Sequence, residues 1–338
     1  MNDYQQSASA GEFELIAALK RVLDEYTSAP SVIVGIGDDA AAVETETGAL
    51  VLTTDTMVDG VHFRRGEANW SDVGWKSAVS NLSDIAAMGA TPQHALVTLG
   101  VPSDITTADM EQMYRGMADA FAEFGGGIVG GDIVSSPVFF VTVALTGAAT
   151  VIDGKPEILQ RDRAQPGELI GVTGLLGGSA GGLRSLNEHI ESGEATVLKR
   201  FHFRPVPRIA QGKLLLSAGV SCAMDVSDGL VADLEKLCAA SEVGAILNAA
   251  SVPVPPELKA LYGNDATILA LTGGEDYELV FTAPFDMMDR LLAHHRGQFT
   301  YIGRIVEEPD GDTRVTVFDA AGSEMQLGQK GWDHLGAR

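Results

Sequence analysis

The residues in this chain best able to do chemistry are carboxylates, and they recur in short, glycine-marked stretches. Gly35-Ile36-Gly37-Asp38-Asp39-Ala40 sets two adjacent acids after the apolar run Val32-Ile33-Val34, which predicts a buried strand. On an extended backbone neighbouring side chains point to opposite faces, so Asp38 and Asp39 are expected to serve different partners. Thr53-Thr54-Asp55-Thr56 predicts a second acid-bearing strand end, and more acids follow at Asp84, Asp132, Asp225 and Asp228. Carboxylates gathered in one place repel each other unless cations lie between them. Magnesium takes oxygen ligands and commonly shares them with phosphate oxygens. Asp39, Thr53, Thr54, Asp55, Asp84 and Asp132 offer such oxygens from one half of the chain, and Asp225, Ser227 and Asp228 from the other. Any one of these aspartates alone reads as a helix cap or turn residue. Asp84 differs, because it sits within an apolar helical stretch where a bare carboxylate is costly. As a set, the acids predict a magnesium cluster that holds polyphosphate.

Other phosphate-binding patterns fit less well. Gly35-x-Gly37 is followed by Ala40 instead of a third glycine, and two aspartates there would repel a pyrophosphate. No Walker-type glycine loop occurs. The turn from Gly174 to Gly182 has two readings: backbone amides presented to a phosphate at a helix start, or a close strand-to-helix turn. Lys76, Arg161, Arg184, Arg204 and Arg208 lie in or near glycine- or proline-marked segments. Of these, Arg161 could grip a nucleotide phosphate bidentately. His62 stands in the acid-rich motif Asp59-Gly60-Val61-His62-Phe63, with a packed loop residue as its plainer reading. Gly273-Gly274-Glu275-Asp276-Tyr277-Glu278 is an acid-rich turn suited to a cationic or hydrogen-bonding ligand. Trp332 could stack on a heterocycle or merely cover a tail.

The elements that must position these groups alternate along 338 residues, enough for two α/β domains. A helix is expected over 12–26, strands over 32–34 and 49–52, and a helix over 73–88 stopped by Gly89. A strand at 94–99, a helix at 107–124, a short buried strand at 128–129 and a strand at 138–145 complete the first half. The polar stretch from Ala148 to Lys155 is the expected boundary, giving domains 1–148 and 149–338. In the second half, strands are expected at 169–173, 222–225, 245–247, 277–282 and 300–305, with a helix at 230–240. The formal charge of -23 argues against nucleic acid, whose phosphates need basic patches. Cys222 and Cys238 form neither a disulfide framework nor a zinc pattern, and read as small buried residues. Residues 1–11 lack an apolar signal core and no long apolar span follows, so a cytoplasmic protein with no membrane partner is expected.

Taken together, the stretches resemble the thiamine-monophosphate kinase family, of the superfamily that includes aminoimidazole ribonucleotide synthetase and selenophosphate synthetase. The resemblance runs from Gly11-Glu12-Phe13 to Lys330-Gly331-Trp332-Asp333-His334. Its most specific parts are Gly37-Asp38-Asp39-Ala40, Thr54-Asp55-Thr56, Gly60-Val61-His62-Phe63 and Asn81-Leu82-Ser83-Asp84-Ile85-Ala86-Ala87-Met88-Gly89. Gly130-Gly131-Asp132, Asp225-Val226-Ser227-Asp228-Gly229-Leu230 and Gly273-Gly274-Glu275-Asp276-Tyr277-Glu278-Leu279 complete the set. The resemblance implies an α/β (α+β) fold, with an N-terminal mixed sheet that pairs across a homodimer and a C-terminal α/β sandwich. It implies ATP-dependent phosphorylation of thiamine monophosphate to thiamine diphosphate by direct in-line transfer with several magnesium ions. Asp39, Asp55, Asp84 and Asp132 would be catalytic, and Asp39, Thr53, Thr54, Asp55, Asp84, Asp132, Asp225 and Asp228 would hold metal. Tyr114, Gly131, Asp132, Arg161 and Ser227 would contact ATP, and His62, Glu275 and Trp332 the thiamine phosphate. One departure stands out: Ile133-Val134-Ser135-Ser136 follows Asp132 where the family has threonines, so no hydroxyl contact is expected there. No reactive cysteine precedes Cys222, unlike the pattern expected of a selenophosphate synthetase. A protein that binds metal or nucleotide without turnover is the alternative from another functional class.

Overall fold

A computed structural model describes residues 31–46, 48–309, 311, 313–328 and 331–332, together with Ile16 and Lys20. The helix expected over 12–26 lies outside the described residues apart from Ile16 and Lys20, both helical. So do Lys330, Asp333 and His334.

The first sheet contains β1 (Val32–Val34), β2 (Ala41–Thr45), β3 (Gly48–Val58), β4 (Thr91–Val101), β5 (Gly127–Ser135) and β6 (Phe140–Ala148). Their order is β1-β2-β3-β6-β4-β5, antiparallel except for the parallel pair β4 and β5. Alternation along β3 separates two faces. Val51 and Met57 enter the core with Val97, Leu99, Val141 and Val143, whereas Leu52, Thr54, Thr56 and Leu96 remain exposed. The covered face meets helices α1 (Trp70–Ala87) and α2 (Thr107–Phe124). These helices cross so closely that a Cβ at Gly74 would lie 1.8 Å from the Met113 carbonyl oxygen, and one at Gly116 1.8 Å from that of Ser71.

Helix α1 begins at Asn69, whose side chain accepts from the Asp72 amide, and ends where Gly89 takes φ +64°. It is buried nearly all round because the second half of the chain covers what the first sheet leaves open. That makes α1 the shared spine of the molecule, and it carries Lys76, Ser83 and Asp84.

A small hairpin, β7 (Thr150–Ile152) and β8 (Lys155–Glu157), leads to the second sheet. This contains β9 (Leu169–Thr173), β10 (Cys222–Val226), β11 (Val243–Asn248), β12 (Glu278–Ala283), β13 (Phe299–Glu307) and β14 (Val315–Phe318). Their order is β10-β12-β9-β13-β11-β14, antiparallel except for β11 with β14. Around it lie α3 (Gly178–Asn187), α4 (Gly193–Phe203), α5 (Ile209–Ser217), α6 (Leu230–Ser241), α7 (Pro256–Tyr262), α8 (Asp265–Thr272) and α9 (Phe285–His294). Separate apolar clusters fill its two faces, one including Leu234 and Leu237 of α6, the other Leu215 of α5 and Met288 of α9. The fold is thus mixed α/β, with helices on one face of the first sheet and on both faces of the second.

Four local expectations are corrected. β1 is a half-exposed edge strand, with Val32 and Ile33 each 45% exposed. β3 continues to Val58, so Thr53 to Asp55 lie inside a strand instead of at its end. β5 is an exposed edge, not a buried strand, and Val129 is 63% exposed. Asp38 and Asp39 share one partner, because the chain bends at Asp39 and turns both carboxylates toward Arg161.

Candidate active site

Asp39, Asp84 and Asp225 each present a carboxylate oxygen, and the three atoms lie within 4.8 Å of one another. They arrive from the bend after β1, from the last turn of α1 and from β10. Local hydroxyls hold two of them: the Thr53 Oγ1 donates to Asp84 Oδ2, and the Ser83 Oγ donates to Asp225 Oδ2 at 2.7 Å. The Ser227 Oγ donates to Asp225 Oδ1 at 3.3 Å. Opposing charge is scarce. Arg161 Nη2 lies 2.5 Å from Asp39 Oδ1, its Nε 3.5 Å from Asp38 Oδ1, and its amide donates to Asp38 Oδ2 at 3.1 Å. Asp39 Oδ2 is buried with no hydrogen-bond partner among the described residues.

Such crowding shows in the acidities. Burial, against the pull of Arg161, raises Asp39 to about 7. Burial and then the charges of Asp55, Asp225 and Asp39 hold Asp84 well above the carboxylate range. Burial followed by Asp39 and Asp233 does the same to Asp225. Keeping Asp39 ionised above pH 7 costs on the order of 4 kcal/mol on these figures, so the cluster is short of positive charge.

Asp84 and Asp225 of the cluster line a cleft of about 690 Å³, together with Asp55, Ser227 and Asp228, while Asp39 stands behind them. Facing it are Glu275, His202 and Ser179, with His62 and Trp332 also bordering the space. Here acids are paired. Lys76 Nζ is 2.7 Å from Glu275 Oε1, and Arg208 forks onto both oxygens of Glu278, which also accepts from Thr173 Oγ1 at 2.6 Å. Burial would raise Glu275, but the Lys76 charge outweighs it and holds the carboxyl below its usual range. Nearby, Lys236 Nζ lies 2.5 Å from Asp228 and 2.7 Å from Asp233. One oxygen of Asp233 accepts from the amides of Ser227, Asp228 and Gly229, fixing the loop before α6.

Comparison with known proteins accords with this geometry. Models of the AIR synthase related protein N-terminal and C-terminal domains match residues 37–149 and 165–316. Thiamine-monophosphate kinase of Escherichia coli O157:H7 is 36% identical over 337 residues, covering 97% of this chain and 99% of that one. That of Aquifex aeolicus is 36% identical over 331 residues, covering 96% and 98%. The chain belongs to the thiamine-monophosphate kinase family. It is a kinase, and a solved structure of AaThiL complexed with AMPPCP and TMP shares its architecture, with TM-score 0.84 and 34% identity over 98% of this chain and 100% of that chain. No helix among the described residues is long and apolar enough to cross a membrane.

Against the family's pattern, the structure brings Asp39, Asp84 and Asp225 together, with Asp55, Ser227, Asp228, His62, Glu275 and Trp332 around one cleft. Thr53 joins through Asp84. Thr54 lies on the opposite face of β3, so its side chain points away from Asp84. Arg161 reaches the cluster by pairing with the two acids. Tyr114 packs on α2 against the first core. Gly131 and Asp132 lie on β5; Asp132 continues the row Thr56, Thr142 and Thr98 on the uncovered face, three strands from β3.

Two acids acquire roles that single-residue reading did not assign. Asp276 accepts from the amides of Gly177 and Ser179 at 2.6 and 3.0 Å, so the glycine-rich turn after β9 is filled by the protein's own carboxylate. Its glycines serve close packing, since a Cβ at Gly182 would lie 2.3 Å from the Leu198 carbonyl oxygen. The phosphate-cradle reading of that turn gives way to the close-turn reading. Asp233 is the other, and its signal is an acid in the first turn of a helix behind Ser227-Asp228-Gly229.

Proposed function

We propose that this chain transfers the terminal phosphoryl group of ATP to thiamine monophosphate, giving thiamine diphosphate and ADP, by direct in-line transfer in the cleft between the sheets. The observation that carries the reading is the cluster of Asp39, Asp84 and Asp225, three carboxylates held together with one arginine for compensation. Family membership and the relative bound to AMPPCP and TMP support the substrates.

The donor set fits magnesium. It is all oxygen, it includes the unpartnered buried Asp39 Oδ2, and its carboxylates repel one another without a cation. Asp39, Thr53, Thr54, Asp55, Asp84, Asp132, Asp225 and Asp228 would hold several ions, Thr54 through its backbone. Bound magnesium would screen the repulsion between two anionic phosphates and stabilise charge on the transferring group. The acceptor phosphate oxygen is already an anion, so it attacks the terminal phosphorus without a general base while the bond to the ADP oxygen breaks. Ser227 and Arg161 would meet ATP, with Arg161 turning from Asp39 toward a phosphate where a cation would take that carboxylate. His62, Glu275 and Trp332 would seat the acceptor, with the Trp332 ring stacking on a heterocycle.

The reading includes a homodimer. Among the described residues β5 presents an unpaired strand edge, and Leu96, Val129 and Ile133 are 53%, 63% and 67% exposed beside it. A second copy on this edge supplies Gly131 and Asp132, and with them Tyr114, to the nucleotide across the interface. We place the domain division after Ala148, where the first sheet ends, and the reaction in the cytoplasm.

The test is purified protein with ATP, magnesium and thiamine monophosphate, followed by chromatography for thiamine diphosphate, with free thiamine and ribonucleotides as competing acceptors. Thiamine diphosphate formation without a phosphorylated enzyme is expected. ATP binding with no turnover of thiamine monophosphate would contradict the reading.

A further inference from the structure

Lys76 is the only basic residue of α1, and it lies behind the cleft wall, 3% exposed. Apart from its ion pair with Glu275, its Nζ has no hydrogen-bond partner among the described residues. A buried ammonium with a single carboxylate for company is costly to the fold unless that carboxylate stays charged. Glu275 is held accordingly. It adopts φ +66°, a conformation that favours glycine, and its amide donates to the Ser227 carbonyl at 2.7 Å. Oε1 turns back to Lys76, whereas Oε2 lies 3.4 Å from His202 Nδ1. That ring nitrogen is also 3.0 Å from Ser179 Oγ. His202 is neutral, since burial and then the Lys76 charge push it down to about 3. The Glu275 side chain keeps 27% exposure, so the anion faces the cleft and its counter-charge stands behind it.

We propose that Lys76 is a positioning residue for acceptor selectivity: it fixes Glu275 as an anion turned into the cleft, and Glu275 selects a positively charged heterocycle. The proposal rests on the thiamine monophosphate reading and adds the group that makes the cleft charge-selective. The geometry explains why an isolated lysine occupies the buried spine helix.

The experiment compares two acceptors: thiamine monophosphate and its uncharged isostere with carbon in place of the thiazolium nitrogen. The wild type is expected to favour the cation by about tenfold or more in kcat/KM. Lys76→Met is expected to raise the KM for thiamine monophosphate about tenfold, with the KM for ATP and kcat changed less than about threefold, and to lose the preference for the charged acceptor. Lys76→Arg is expected to restore much of that preference. Should Lys76→Met not fold, the double variant Lys76→Met/Glu275→Gln removes both buried charges and is expected to fold and to show the same loss of preference. Either variant retaining wild-type preference, or losing both acceptors and ATP equally, overturns the assignment. A wild type that turns over neither acceptor removes the functional reading and this assignment with it. A wild type that works while the variants keep the preference removes this assignment alone.

Discussion

The two sides of the cleft treat buried acids in opposite ways. On one, Asp39, Asp84 and Asp225 crowd together, and among the described residues their one paired cation is Arg161, through Asp39. On the other, Glu275 has Lys76, and Glu278 has Arg208 and Thr173. Burial is similar on both sides, so partner supply makes the difference. A paired acid completes the fold, whereas a crowded one costs free energy until something positive arrives. Under the proposed function, the contrast assigns the crowded part to cations and the paired part to the acceptor.

The largest expected effect lies on the crowded side. Asp84→Asn should lower kcat by about a thousandfold or more, measured as thiamine diphosphate formation. Its melting temperature in chelator should equal or exceed that of the wild type, because a repelling charge has gone. A variant that unfolds in chelator would erase the contrast. Glu278→Gln probes the paired side and should act oppositely on stability. It leaves Arg208 without its carboxylate and should cost about 3 kcal/mol in denaturant unfolding. A neutral result there would mean that pairing contributes little to the fold.

A smaller effect comes from pH. Asp39 holds its proton more tightly in the fold than in the unfolded chain, so the folded state binds more protons and metal-free stability falls as pH rises toward about 7. The loss between pH 5 and 7 should be about 2 kcal/mol in chelator and should shrink when magnesium is added. Urea titrations across that range check both parts. Smallest of all, Arg65→Ala breaks pairs with Asp59 and Asp104 on the surface, and should change stability by less than about 1 kcal/mol.

Much of this was legible in the sequence because local rules and tertiary outcome agree. Gly89 ends the spine helix as its position predicted, and 107–124 and 169–173 form a helix and a strand with those bounds. Asp84 announced itself as an acid in an apolar helix, and the structure places it against Asp39 and Asp225. Pairings across long separations were not legible. Nothing near Asp276 tells that it reaches the amides of Gly177 and Ser179, so the glycine turn remained ambiguous. Lys76 and Glu275 stand far apart in sequence, and only the packing of α1 against the second half joins them. The exposure of β5 was hidden as well, because Ile128-Val129 reads the same in a core and at an apolar edge. Strand alternation could have warned that Thr54 and Asp55 face opposite ways, once β3 was known to continue through them.

Calorimetric titration of the metal-free protein with magnesium at pH 7, in two buffers of different ionisation enthalpy, tests the central claim most directly. Binding should release protons, because the crowded carboxylates must ionise to take the ion, and Asp84→Asn should reduce both affinity and release. Binding with no proton release, or the same release from Asp84→Asn, would contradict a metal site at Asp39, Asp84 and Asp225.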